Sequence, residues 1–144
     1  MKNLLNLQKT KNKKTMATAV KTNPIEEAKR YVANAKQILR EKAGKRGYHY
    51  TDSKYVSMAC NTAWSGVLIA VHAKMKRDNF KFPRGRLSVD TYRGYLTTKN
   101  KTILKYFNSA YNHLHLYGGY DKELSVGNTQ IGLDFAEKII DWCS

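Results

Sequence analysis

The sequence predicts an all-α protein, an up-and-down bundle of four to five helices with short connections. Three observations predict it. Apolar residues recur at helical spacing in five segments, most of them bounded by cap and stop residues. No segment shows the alternation of a strand, and no internal repeat is present. The second segment is apolar on two nearly opposite sides, the pattern of a helix buried on both.

The first helix is expected over 24–43. Asn23-Pro24-Ile25-Glu26 opens it: Asn caps, Pro suits the first helical position, and Glu26 stands where a capping box needs it. Ile25, Ala28, Val32, Ala35 and Leu39 make its buried stripe, and Gly44 and Gly47 end it. The second helix is expected over 52–76, capped by Thr51 or Asp52. Tyr55, Ala59, Ala63, Gly66, Ala70 and Ala73 form a face of mostly small residues, and Cys60, Trp64, Val67, Val71 and Met75 form the other. The small face allows a close helix neighbour, either within the bundle or in a dimer.

Lys76–Arg86 (KRDNFKFPRGR) reads as a loop from its Asn, Pro and Gly. Ser88 caps a shorter helix over 88–98, ending near Asn100. A fourth helix is expected over 101–117, with Ile103, Phe107, Ala110, Leu114 and Tyr117 inward and Gly118-Gly119 as its stop. The fifth, over 123–142, carries Val126, Leu133, Ala136, Ile139 and Ile140, with Gly127 and Gly132 weakening its first half.

Composition bounds the function. The 144 residues fit one domain, with a basic flexible tail over 1–22 and a single helical bundle over 23–144. No apolar run approaches the ~20 residues of a membrane span, and no secretory signal is present. Cys60 and Cys143 lie in helical patterns and read as reduced, which fits a cytoplasmic protein. The formal charge is +15, but Lys2, Lys9, Lys11, Lys13 and Lys14 supply five of those charges ahead of Met16, read as an alternative start. That tail is either a non-specific phosphate binder or a disordered extension.

Tyr111–Leu124 (YNHLHLYGGYDKEL) is the richest stretch in chemistry. On a helix, His113 and His115 stand about 200° apart. They therefore flank the inner face on opposite sides, His113 beside Tyr106 and His115 beside Tyr111 and near Asn108, and do not share a metal. No cofactor and no metal are expected. Each histidine reads first as a packed, hydrogen-bonded residue, with a polar pocket of Tyr111, His115, Tyr120 and Asp121 as the functional alternative. Two segments interleave cations with aromatics, Lys42–Tyr50 and Lys74–Arg86, as single-stranded RNA requires. Solvated loops with rings tucked into the core explain them equally. If helices alternate in direction, the second loop shares an end with the 118–121 turn. Arg77, Lys81, Arg84 and Arg86 then meet Tyr120 and Asp121, with Tyr92 and Arg93 nearby. With Tyr111 and His115, these are the candidate binding residues.

NPIEEAKRYVANAKQIL, DSKYVSMACNTAWSGVLIAVHA, YNHLHLYGGYD and AEKIIDW resemble a family of small helical bacterial proteins of unknown function and, more distantly, HEPN domains. The match covers residues 24–142. The resemblance implies a HEPN-like bundle of four or five helices, often a homodimer, sometimes partnered with a nucleotidyltransferase-type protein. Many HEPN ribonucleases carry an Arg followed four to six residues later by His. Here Asn108 stands ahead of His113 where that Arg belongs, and no Arg elsewhere has the spacing. Asn supplies no fixed charge, so no catalytic role is carried over. The expected function is a non-catalytic binding or accessory module for RNA, a nucleotide or a protein partner. A metal-independent ribonuclease using His113 or His115 with an Arg from 77–93 is the rival, and a purely structural interaction module the third reading.

Overall fold

The computed structural model describes residues 23–144, so the basic tail expected over 1–22 lies outside the described residues. Five helices and one two-stranded hairpin make up the described chain, an all-α bundle.

Helix α1 (Pro24–Ile38) starts where the Asn-Pro signal places it: Asn23 Oδ1 accepts the Ile25 N–H at 2.9 Å. The expected second half of the capping box does not form. Glu26 lies 3.8 Å from Lys29 Nζ instead of reaching back to Asn23. Ile25, Ala28, Val32 and Ala35 are buried, and the helix runs on as a π-helical turn (Leu39–Ala43) to Gly44, which takes φ +65.

The next segment corrects the absence of strands. Strands β1 (Lys45–Arg46) and β2 (His49–Tyr50) pair antiparallel around Gly47-Tyr48. Gly47, at φ +61, occupies the first central position, as a type II′ turn requires. Two-residue strands carry no readable alternation. Contacts from far along the chain brace this hairpin: the Tyr50 N–H donates to the Leu124 carbonyl at 2.8 Å, and the Val126 N–H to the Tyr48 carbonyl at 3.0 Å.

Helix α2 (Ser53–Arg77) is capped by Asp52, whose carboxylate accepts the Lys54 N–H at 3.1 Å. Its length and composition would suffice to cross a membrane, yet ten of its residues are buried on two sides by other helices. The small face receives α1. A Cβ on Gly66 would stand 2.9 Å from the Ala28 carbonyl oxygen, so the close approach is made within the bundle.

Helix α3 (Val89–Lys99) is capped by Ser88, and Asn100 both ends it and caps α4 (Lys101–Ala110). The fourth helix does not stop at Gly118-Gly119. It continues as a π-helical segment (Tyr111–Tyr120), closed by the Asp121 N–H donating to the Leu116 carbonyl at 2.8 Å. Neither glycine has positive φ; Lys122 beyond them does. Their role is close packing on α2. A Cβ on Gly118 would overlap Cys60 Sγ and stand 2.9 Å from Cys60 Cβ, and one on Gly119 would stand 3.0 Å from Asn61 Cγ. Helix α5 (Val126–Cys143) is capped by Ser125. Gly132 lets it close on Leu114: a Cβ there would meet Leu114 Cδ2 at 2.5 Å.

The fold thus predicts which glycines are structural. Gly66→Ala and Gly118→Ala should each destabilise the protein by about 1–3 kcal/mol through overpacking. Gly94→Ala, in α3 with nothing within 4 Å of the new methyl, should stabilise it by about 0.5–1 kcal/mol. Urea midpoints of the three variants check this. A neutral Gly118→Ala would mean that α2 and the π-helical segment do not approach so closely.

Candidate functional site

The candidate residues fall into three places, and the direction of α3 decides which. The connection 78–88 does not simply turn. Phe80 packs on Tyr95 at 5.7 Å, Phe82 on His72 at 4.8 Å, and Leu87 lines a groove with Leu68 and Ile69, so the loop descends along α2. Helix α3 then rises parallel to α2, bringing Lys99 Nζ to 3.9 Å from Asp78. Helix α4 descends: Phe107 and Tyr111 meet Trp64, and Ser57 Oγ donates to the Gly119 carbonyl at 2.6 Å. Tyr120 and Asp121 therefore lie by the first turns of α2, with the β1–β2 hairpin. Arg77 is 20 residues further along α2 from Ser57, about 30 Å away. The expected meeting of Arg77, Lys81, Arg84 and Arg86 with Tyr120 and Asp121 is overturned, because the descending loop adds a reversal that simple alternation omits.

The first place is the C-terminal end of α2. Lys74, Lys76 and Arg77 stand there, with Lys99 and Lys101 from the α3–α4 junction, while the descending connection carries Lys81, Arg84 and Arg86 down beside the helix, the last two between Phe82 at His72 and Leu87 at Leu68 and Ile69. Arg77 donates to the Cys143 carbonyl, and the Lys74 ammonium lies 4.8 Å over the Trp142 ring. Lys76, Lys81, Arg84 and Arg86 are exposed and have no ion-pair partner among the described residues. Asp78 is the one acid between Lys74 and Arg86. The Tyr95 hydroxyl donates to its carboxylate, and that bond, with Lys74, Lys99 and Arg77 nearby, holds it below the usual carboxylate range. Burial and this same bond push the Tyr95 phenol up. Desolvation, then Lys76, holds the His72 imidazole low, so the ring under Phe82 adds little charge.

The second place is the junction of α2, α3 and α4. Tyr92 is buried, its ring stacked on Phe107 at 6.1 Å. Arg93 donates from Nε to Asn108 Oδ1 at 2.8 Å, pairs with Asp90 at 3.0 Å, and lays its guanidinium 4.8 Å over Tyr111. His115 stands 5.2 Å from the same Tyr111 ring and 6.0 Å from Trp64. Arg93, Tyr111 and His115 are thus brought together, and Tyr120, 80% exposed at the hairpin end, is not part of that group.

His113 takes the opposite side of α4, as its spacing predicts. Asn128 Nδ2 donates to the His113 carbonyl at 3.1 Å, which leaves Asn128 Oδ1 as the acceptor of a 2.7 Å bond from Nδ1–H of the imidazole. His113 lines an open cleft with Tyr117, Glu123 and Ile131. Its partner Asn128 is 15 positions away and carried no local signal. Both cysteines are free and buried, and burial pushes each thiol up to about 12, which disfavours the reactive thiolate. Among the described residues no cluster of three or more metal-ligating side chains occurs.

A family model described as "Domain of unknown function (DUF5618)" matches residues 23–144. Among solved structures, a protein of unknown function from Dyadobacter fermentans is 45% identical, with a TM-score of 0.78 over 83% of this chain and 93% of that one. No curated protein matches.

The Tyr95–Asp78 bond makes a pH prediction. The folded-state pKa of Asp78 is depressed, so its contribution to stability is complete above the unfolded value of about 3.9 and is lost as pH falls through the lower folded value. Tyr95→Phe should therefore be less stable than wild type at pH 6, with the gap narrowing below pH ~4. Thermal melts across that range check it, and a constant gap would assign Tyr95 to packing alone.

Proposed function

We propose that this chain, which belongs to the DUF5618 family, is a non-catalytic, HEPN-like binding module that takes RNA at the basic end of its bundle. The observation that carries this reading is the charge on the C-terminal half of α2 and on the connection that descends beside it. The stretch from Lys74 to Arg86 holds six cations and one carboxylate, and that carboxylate is already engaged by Tyr95 and Lys99. Long-range attraction for phosphate then goes unopposed, and the exposed Lys76, Lys81, Arg84 and Arg86 are available to contact it. The lack of a motif Arg supports binding without cleavage: Asn108 occupies that position, and its side-chain oxygen is engaged by Arg93.

A second reading draws on the same bond. Arg93 brings a guanidinium to Asn108, and Arg93 and His115 share the Tyr111 ring. In a metal-independent ribonuclease the histidine would move protons and the guanidinium would stabilise the phosphorane. That reading expects RNA cleavage in chelator that is lost in both His115→Ala and Arg93→Ala; RNA left intact by the wild type sinks it.

For the binding reading, Arg84→Glu with Arg86→Glu should weaken RNA affinity about tenfold or more near 100 mM salt. It should also flatten the salt dependence by about 1.4 in the log–log slope, about 0.7 for each lost contact to a single strand. Fluorescence anisotropy across a salt series measures both. An unchanged affinity removes the basic end as the binding surface.

A further inference from the structure

The two cation-aromatic segments are not equivalent once folded. At the basic end the rings are spent on the protein: Phe80 on Tyr95, Phe82 on His72, Tyr92 on Phe107, and Trp142 beneath Lys74. None of the large exposed hydrophobics among the described residues lies between Lys74 and Lys99. That end offers charge without a platform, so it distinguishes poorly between single strand and duplex.

The hairpin end has what the basic end lacks. Tyr48 is 87% exposed at the second central position of the β1–β2 turn. Lys45 and Arg46 precede it and His49 follows, all exposed. The backbone that carries the ring is braced by a distant segment. The Tyr48 carbonyl accepts the Val126 N–H, Tyr50 is tied to Leu124, and His49 bridges to Ser125. Bracing the backbone beneath an exposed ring lowers the backbone share of the ordering entropy that stacking would otherwise cost. Flanking cations suit a ligand that is anionic beside its aromatic faces, the chemistry of an unpaired nucleotide.

We propose that the β1–β2 turn is a second contact for RNA, specific for single strands, in which an unpaired base stacks on Tyr48 while Lys45 and Arg46 meet the adjoining phosphates. A duplex hides the faces of its bases and gains nothing there. This inference rests on the RNA reading above and adds the strand form that the molecule selects.

The test uses the full chain and two probes at ~150 mM salt, an ionic strength at which non-specific phosphate contacts are weakened. One probe is a short oligouridine carrying a single 5-iodouridine; the other is an RNA duplex of the same length. Anisotropy reports binding, and photocrosslinking with peptide mass spectrometry reports the residue touched. The expected adduct is on Tyr48. Tyr48→Ala should cut single-strand affinity roughly 5- to 150-fold, the range that loss of one stacked base gives, and leave duplex affinity unchanged; Tyr48→Phe should keep both. The Arg84→Glu, Arg86→Glu variant should weaken both probes alike. Binding with adducts elsewhere, or a Tyr48→Ala protein that holds the single strand as before, overturns the platform and leaves the basic end standing. No binding of either probe by the wild type overturns both.

Discussion

The close approach of neighbours to both sides of α2 is the constraint on which the rest of the bundle depends. On one side Gly66 brings the backbone of α1 so near that a methyl group would press on the Ala28 carbonyl. On the other, Gly118 and Gly119 bring the end of the fourth helix onto Cys60 and Asn61. Interiors pack as densely as organic crystals, so contacts of this kind set inter-helix distances to within a methylene. Large side chains fill the remaining space, with Phe107, Met75, Leu96 and Leu114 fully buried around the same axis.

That packing accounts for the π-helical segment. Leu114, Gly118 and Gly119 all face inward over Tyr111–Tyr120. An i→i+5 ladder keeps residues four and five apart near one face, where an α-helix would carry one of them round toward solvent. It also sets the side on which each histidine lies. His113 is held by Asn128 of α5, and His115 by Trp64 of α2 and by Tyr111. The segment is therefore a structural seam between three helices, and its polar residues are largely engaged in holding it.

The placement of aromatic rings divides the molecule along its length. The C-terminal end of α2 combines cations with rings turned into the protein, and the hairpin end combines cations with rings turned out. Phe80 and Phe82 make the difference: by anchoring the 78–88 connection to Tyr95 and His72 they remove themselves from any ligand and hold Lys81, Arg84 and Arg86 on the outside. Composition alone shows both segments as the same mixture of lysine, arginine and aromatic residues.

The sequence by itself determined what is local. Asn23 and Ser88 act as caps where they were expected to, and Asp52 is the one of the two candidates, Thr51 and Asp52, that does, because a cap needs only its own next three residues. The two-sided burial of α2 was legible for the same reason: helical spacing projects straight onto faces. The opposite placement of His113 and His115 followed likewise. Tertiary structure decided what depends on partners distant in the chain. Glycines 118 and 119 look like a helix stop until Cys60 and Asn61 lie against them. A two-residue strand pair has no pattern until Leu124 and Val126 brace it. The placement of Arg77, Lys81, Arg84 and Arg86 away from Tyr120 and Asp121 turned on whether an eleven-residue connection (78–88) turns back at once or first descends. Phe82 and Leu87 settled that by finding apolar surface on α2, a choice made by burial between segments and not written in either one alone.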